Sequence, residues 1–518
     1  MLNVFFNDEV LTAEGKICSS LGIPAILLME NAGLNSAEYV ISNYKDKILN
    51  EVVIVTGKGN NAGDGFVIAR HLVNNSVKVK VLTLFRETEL KGDALVNYNV
   101  LRKLKNEYIK IVHCRDAKEL NKEIHSSNRI IIDSIFGIGF KGTPDKRMKD
   151  IFEILNNSKY AEIISIDTPS GLYKYDQITE SINADVTLTM GVKKFHSLFY
   201  KGREQTGKYE LINIGIPGSE FTKFNIRKIF QTEEIDVKAM KPVRNINSNK
   251  YSGGKVFILS GSEGLTGAAY LCSMAALRSG SGAVITGVPE SLNPILEIKM
   301  TEVMTIPLAE TKQKTLSMNC YDTVKKKADW ADTVLLGPGL SKNEETMDLV
   351  RKTVKENNFN FVIDADAIHA FKGNLNLLKK RNVILTPHFG EFADLIGKDT
   401  GNIKENFYAL AESFAKEYGV VLVLKNSPTV ISDGKSFYIN STGKENLATA
   451  GTGDVLSGII AGLYSQSMNN LESALAGVYL HGRCGDRLFE KDGASSTLAG
   501  DLLNIIPEIK KELSVFEN

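Results

Sequence analysis

The stretch NLATAGTGDVLSGIIAG, Asn446–Gly462, decides the fold of the second half of the chain. Small residues and two glycines run into one carboxylate, Asp454, and no charge follows before Tyr464. Such a run predicts a buried helix over Val455–Tyr464, with Gly458, Ala461 and Gly462 permitting close packing. Backbone N–H groups at a helix N-terminus form an anion site, and the helix dipole adds about half a positive charge. Gly451 and Gly453 let the backbone approach a phosphate with no Cβ in the way. From there Asp454 can accept a proton from a substrate hydroxyl. The plainer reading makes Asp454 an N-cap of a tightly packed helix.

Five more stretches bear on that choice. GSEGLTGAA (Gly261–Ala269) follows a strand and opens a helix, and LLGPGL (Leu335–Leu340) ends a strand in a turn that exposes backbone. TPHFGEF (Thr386–Phe392) sets His388 and Glu391 just past a strand end, the edge where parallel sheets bind ligands. DADAI (Asp364–Ile368) adds two carboxylates at another strand end, facing magnesium or capping a helix. LKNSPT (Leu424–Thr429) offers Lys425 to a nucleotide phosphate with Thr429 nearby; a plain surface lysine is the alternative. Together they point to a nucleotide-using enzyme acting on a substrate hydroxyl, as a small-molecule kinase does.

The first half carries a different loop. GKGNNAGDG (Gly57–Gly65) follows the strand Val52–Thr56 and leads into a helix over Phe66–Leu72, without the GxGxxG spacing of a dinucleotide fingerprint. Asn60, Asn61 and Asp64 make it polar enough to hold ribose, nicotinamide or a cation. DSIFGIGFKG (Asp133–Gly142) and SIDTPSG (Ser165–Gly171) each begin at a strand end. Three strand ends thus converge with the oxygen donors of Asn61, Asp133 and Ser170, and few formal charges suit a monovalent ion. Loop capping is the plainer role.

These motifs sit in a chain of 518 residues, which predicts two or three domains of about 100–200 residues each. Apolar content of 43% and charged content of 24% are those of a globular protein. A net charge of +1 gives no basic field for nucleic acid, and Lys/Glu-rich stretches such as that around Lys352–Asn358 read as solvated helix faces. Five scattered cysteines form no CxxC, the N-terminus has no signal-peptide pattern, and no run approaches a membrane span of about 20 residues. A reduced cytoplasmic compartment is expected.

Continuously apolar strands alternate with helical patterns, which predicts parallel sheets covered on both faces. Strands are expected at Glu51–Thr56, Val77–Phe85, Arg129–Asp133, Glu162–Asp167, Ala184–Met190 and Tyr209–Ile214, with helices at Phe66–Asn74 and Asp93–Lys105. The pattern restarts after Ser248–Gly254 with strands Lys255–Ser260, Ala283–Val288, Thr333–Leu336, Phe361–Asp364, Val383–Thr386 and Val420–Leu424. A hairpin, Thr429–Ser432 with Phe437–Asn440, follows. Pro217–Asn249 is polar, lacks a long apolar run and reads as the linker, with the boundary near residue 225. The glycine motifs of the two halves differ, so no internal repeat is expected.

As a set, in this order and over nearly the whole chain, these motifs resemble those of the bifunctional NAD(P)H-hydrate repair enzymes. GKGNNAGDGFVIARHL, DSIFGIG and SIDTPSG resemble the family's epimerase domain. GSEGLTGAA, LGPGL, TPHFGE and NLATAGTGDVLSGIIAG resemble its dehydratase domain. The resemblance implies an α/β chain: a Rossmann-like three-layer sandwich over residues 1–225 and a ribokinase-like domain over 226–518. It implies epimerisation of the R and S C6-hydrates NADHX and NADPHX, then dehydration of the S form at the expense of ADP, giving AMP and phosphate. By the same resemblance the hydrate in the epimerase maps onto Asn60, Asn61, Ala62, Gly63 and Asp64, with Gly137, Ile138, Gly139, Phe140, Lys141, Gly142, Thr143 and Asp167. Asp167 is the proton-transfer candidate, and potassium maps onto Asn61, Asp133 and Ser170. In the dehydratase the hydrate maps onto Ala268, Gly339, His388 and Asp454, with Asp454 engaging the hydroxyl. The nucleotide maps onto Lys425, Asn426, Ser427, Pro428, Thr429 and Gly453, with magnesium accompanying it. A homo-oligomer without nucleic-acid or membrane partners is expected. The sequence departs from the family pattern at Ala62, Thr266, Asn426 and the charged GKENLAT segment. The rival readings are a kinase for a vitamin-precursor alcohol and an N-terminal module that binds without catalysis.

Overall fold

The structure is a computed structural model that describes every residue except 105–106, 125–128, 159–160, 175–179, 241, 243–252, 494 and 515–518. Most of the restart at Ser248–Gly254 and the end of the helix expected at Asp93–Lys105 lie outside the described residues; the latter helix runs Gly92–Lys103. The chain divides into two compact units, Leu2–Arg227 and Lys228–Asn518 with Met1.

In the first unit seven parallel strands form one sheet, in the order Ile109–His113, Val79–Thr83, Val52–Thr56, Ile130–Ser134, Glu162–Ile166, Val186–Met190 and Lys208–Ile212. The order reverses between Val52–Thr56 and Ile130–Ser134. The carboxyl ends of strands at such a switch point border the crevice where open α/β sheets bind ligands. The central strands are buried along their full length, which is why they read as unbroken Val/Ile runs. A short parallel pair, Leu2–Phe5 with Lys193–Lys194, stands apart from that sheet.

The second unit repeats the logic. Met304–Leu308, Ala283–Pro289, Lys255–Leu259, Thr333–Leu336, Asn360–Ile363, Asn382–Leu385 and Val421–Leu424 run parallel in that order. Val430–Ser432 and Phe437–Ile439 continue it antiparallel, and Ile229–Gln231 joins parallel to the last. The switch falls between Lys255–Leu259 and Thr333–Leu336.

Besides that short pair, three strands escaped the sequence reading for physical reasons. Ile109–His113 is a half-exposed edge strand broken by Lys110. Met304–Leu308 contains Pro307, which argues against a central strand but is tolerated at this sheet edge. Ile229–Gln231 is only three residues long. It lies with the helices Gly218–Phe224 and Glu234–Ala239 inside Pro217–Asn249, so that segment is not a featureless linker.

The opening stretch forms the helix Thr452–Tyr464 with Gly451 as N-cap at φ 92°. Asp454 is the third helical residue, so it is not the cap. A Cβ on Gly458 would stand 2.2 Å from the Cys272 carbonyl oxygen, and one on Gly462 would stand 2.5 Å from that of Ala276. Both lie on the helix Thr266–Arg278, so the small residues set a backbone-to-backbone approach. Leu456, Ile459, Ile460 and Leu463 are buried, at about 1.5–3 kcal/mol each. Gly458→Ala is therefore expected to overpack the contact and cost about 1–3 kcal/mol. The measurement is the melting transition of the second unit, followed calorimetrically.

Candidate functional site

In the second unit the site is built at the carboxyl ends of the strands. Lys425, just past Val421–Leu424, sends Nζ to Asp364 Oδ1 at 2.8 Å and lies 3.8 Å from Glu391 Oε2. A Cβ on Gly453 would meet Lys425 Nζ at 3.5 Å, so the ammonium lies at the start of the glycine-rich helix. Burial works against the Lys425 charge, but Asp364 and Glu391 outweigh it and hold its pKa above the usual lysine range. Asp454 is half-buried. Burial, then the repulsion of Asp364, push its carboxyl up to about 7 despite the pull of Lys425.

His388 starts the helix Phe389–Ile396: Nδ1 accepts from the backbone N–H of Gly390 at 3.0 Å and of Glu391 at 3.2 Å. Nδ1 is therefore the bare nitrogen and Nε2 carries the proton. The backbone at His388 is bridged to Lys425, whose N–H donates to the Pro387 carbonyl at 2.8 Å. Gly339 has φ 66°, and a Cβ there would stand 3.0 Å from Ala268 Cβ, so those two residues meet. Gly337 abuts the Asp364 carbonyl and joins the LGPGL turn to the Asp364 end of the site. Asn426–Thr429 form a turn into the hairpin, closed by Thr429 Oγ1 donating to the Asn426 carbonyl at 3.2 Å. Of the DADAI carboxylates, Asp364 takes the Lys425 ion pair, and Asp366 Oδ2 accepts the Ser341 N–H at 2.9 Å.

His481, on Asn470–Asp492, was not singled out from sequence. Burial pushes its imidazole down to about 4, with the Thr452 backbone bond opposing and the charge of Lys425 adding to the fall. Its Nε2 is buried and has no hydrogen-bond partner.

In the first unit the helix begins at Asn60 and not at Phe66, so the asparagines and Asp64 lie on its first turns. Its glycines hid that start, because glycine weakens a helix reading. They are needed for space: a Cβ on Gly63 would lie 2.5 Å from Met29 Sδ, and one on Gly65 would lie 2.6 Å from Ser134 Oγ. Ala62 is wholly buried inside this helix.

Asp133 is fully buried and accepts from four donors: the Ile135 N–H at 3.2 Å, Ser165 Oγ at 2.8 Å, the Ser170 N–H at 2.9 Å and Ser170 Oγ at 2.6 Å. Burial still leaves its pKa raised. Asn61 is 7% exposed, and both Oδ1 and Nδ2 are buried with no hydrogen-bond partner. A Cβ on Gly137 would stand 3.4 Å from both Asn61 Cβ and Asp167 Oδ2, so the three strand ends do converge. Asp167 holds φ 68°, a left-handed conformation uncommon outside glycine. Asn60, Lys141, Gly142 and Thr143 are exposed. Ile138 packs toward the core, and Phe140 stacks on Phe136.

Two residues of this site were missed. Lys194 ion-pairs with Asp167, and Glu14 enters from the helix Asn7–Leu21. Burial pushes Glu14 up to about 7, with Lys194 opposing and Asp167 adding to the rise. Burial, then the charges of Asp167 and Glu14, push Asp64 well above the usual carboxylate range. Among the described residues no three of His, Cys, Asp and Glu gather as a metal cage, and no single helix is long and apolar enough to cross a membrane.

Comparison with known proteins gives these two units a lineage. Residues 25–195 match the family model described as YjeF-related protein N-terminus, and residues 256–508 match that of NAD(P)H-hydrate dehydratase. A ribokinase-like superfamily protein from Enterococcus faecalis V583 is 24% identical, with a TM-score of 0.50 over 56% of this chain and 97% of its own, which shows the fold of the second unit. The bifunctional NAD(P)H-hydrate repair enzyme of Moorella thermoacetica is 35% identical over 95% of this chain and 93% of its own length. That of Salinibacter ruber is 31% identical over 95% and 93%. With two sheets, two switch-point sites and likeness along nearly its whole length, the chain belongs to the family of bifunctional NAD(P)H-hydrate repair enzymes.

Proposed function

We propose that the chain repairs hydrated nicotinamide cofactors. The first unit interconverts the R and S hydrates of NADH and NADPH; the second dehydrates the S form at the expense of ADP, giving AMP and phosphate. The observation that carries this reading is the Asp454 carboxyl, held at about 7 beside Lys425 at the start of a glycine-rich helix. A base of that pKa is matched to a hydroxyl proton at neutral pH. The terminal phosphoryl group of ADP passes to the C6 hydroxyl while Asp454 takes the hydroxyl proton, and the phosphoanhydride bond breaks to leave AMP. The C6–O bond then breaks, phosphate departs, a proton is lost from C5 and the ring double bond returns.

Lys425 offers its charge to the nucleotide phosphates together with the N–H groups around Gly453. Asn426, Ser427, Pro428 and Thr429 border the nucleotide, and Ala268, Gly339 and His388 border the hydrate. Magnesium prefers phosphates and water to an all-protein cage. Asp364 Oδ2, buried without a hydrogen-bond partner, fits as its protein oxygen, and the ion would supply charge neutralisation on the phosphates.

In the first unit Asn60–Asp64, Gly137–Thr143 and Asp167 border the hydrate. Asp64, whose carboxyl burial pushes toward the neutral form, lies among them, and Asp167 moves the proton. The orphaned Asn61 Oδ1, with Asp133 and Ser170, makes an all-oxygen set that fits potassium, which would anchor the three strand ends. We place the enzyme in the cytoplasm as a homo-oligomer. The test is recovery of NADH absorbance from the purified S hydrate with ADP or ATP: ADP is expected to support it with release of AMP, and recovery with ATP alone would overturn the nucleotide assignment.

A further inference from the structure

We propose that Lys194 is a positioning residue of the epimerase site: it ties down Asp167 Oδ1 and leaves Oδ2 as the oxygen that meets the substrate. This rests on the epimerase reading above. Lys194 is 1% exposed. Its ammonium has three donors, and all three are used: the ion pair to Asp167 Oδ1, Thr189 Oγ1 at 2.9 Å and the Met190 carbonyl at 2.8 Å. The Met190 N–H adds a long contact to the same Oδ1 at 3.4 Å. Oδ2 is the oxygen that lies toward Gly137 and Asn61, 3.4 Å from where a Gly137 Cβ would stand.

The backbone is fixed as well. The Asp167 N–H donates to the Leu188 carbonyl at 2.7 Å, and its φ of 68° is held against the usual preference of a non-glycine residue. A buried ammonium and a strained backbone are each unfavourable alone, and both converge on one carboxylate. That convergence marks a functional constraint. Burial opposes the Lys194 charge, yet Asp167 and Tyr209, then Glu14, outweigh it, so the ammonium stays charged.

A lysine that merely anchored the short strand Lys193–Lys194 would alter stability and leave turnover of the folded enzyme alone. The test measures consumption of the R hydrate by the full chain, with dehydration of the S hydrate as the control for an intact second unit. Lys194→Met is expected to lower kcat for epimerisation about 10²-fold, since misplacement of a reacting group by about 1 Å costs that much. KM should stay within about twofold and dehydration should be unchanged. Lys194→Arg should recover part of the loss, and Lys194→Met with Asp167→Asn should be no slower than Asp167→Asn alone. If Lys194→Met does not fold, Thr189→Val decides: it removes the hydroxyl that holds Nζ and should lower kcat without raising KM. Full turnover in Lys194→Met or in Thr189→Val, or additive losses in the double variant, would overturn the proposal. Absence of epimerisation in the wild-type chain would instead remove the epimerase reading.

Discussion

Asp454→Asn is expected to lower dehydration of the S hydrate by about 10³-fold, a barrier increase of about 4 kcal/mol. The substitution keeps the shape and the start of the helix and removes only the proton acceptor. It also removes a carboxylate that burial and Asp364 disfavour in its charged form, so the folded unit should melt no lower than wild type. The sign of the pH dependence follows from the raised pKa. Below about 7 the wild-type carboxyl is protonated and cannot accept the hydroxyl proton, so kcat/KM for dehydration should fall about tenfold per pH unit on that side. Asp454→Asn should lose this limb and keep a flat residual rate. An unchanged rate, or an unchanged acid limb, would remove Asp454 from the chemistry.

Asp167→Asn is expected to lower epimerisation by about 10³-fold while leaving dehydration of the S hydrate intact. Asparagine tolerates the left-handed backbone of this position, so the change does not add strain there. It does leave the buried Lys194 ammonium without its counter-charge, and breaking a buried pair costs about 3–5 kcal/mol. The first unit should therefore melt earlier, and rates must be compared at temperatures where it stays folded. Retained epimerisation would show that another group moves the proton.

The strands that carry both sites were legible because burial on both faces makes them unbroken apolar runs, as in Val52–Thr56 and Ile130–Ser134. The edge strands were not, because half-exposure admits Lys110 and Pro307. The glycines of Asn446–Gly462 announced close packing, and Gly458 and Gly462 lie against backbone. The glycines of Gly57–Gly65 misled, since Gly63 and Gly65 make room inside a helix. Residues at strand ends, among them Asp167, Ser170 and Lys425, could be singled out as candidates because chemistry in parallel sheets gathers there. Glu14 and Lys194 could not. Each sits in an ordinary charged segment, and only tertiary packing turns it into a buried group beside Asp167. His481 was hidden in the same way inside a long helix.

The most direct test of the account follows NADH absorbance from a mixture of R and S hydrates, with ADP, magnesium and potassium present. Full recovery is predicted, because the first unit converts the R form into the S form that the second consumes. Recovery that stops at the S fraction would contradict the epimerase half of the account, and no recovery with any nucleotide would contradict the whole.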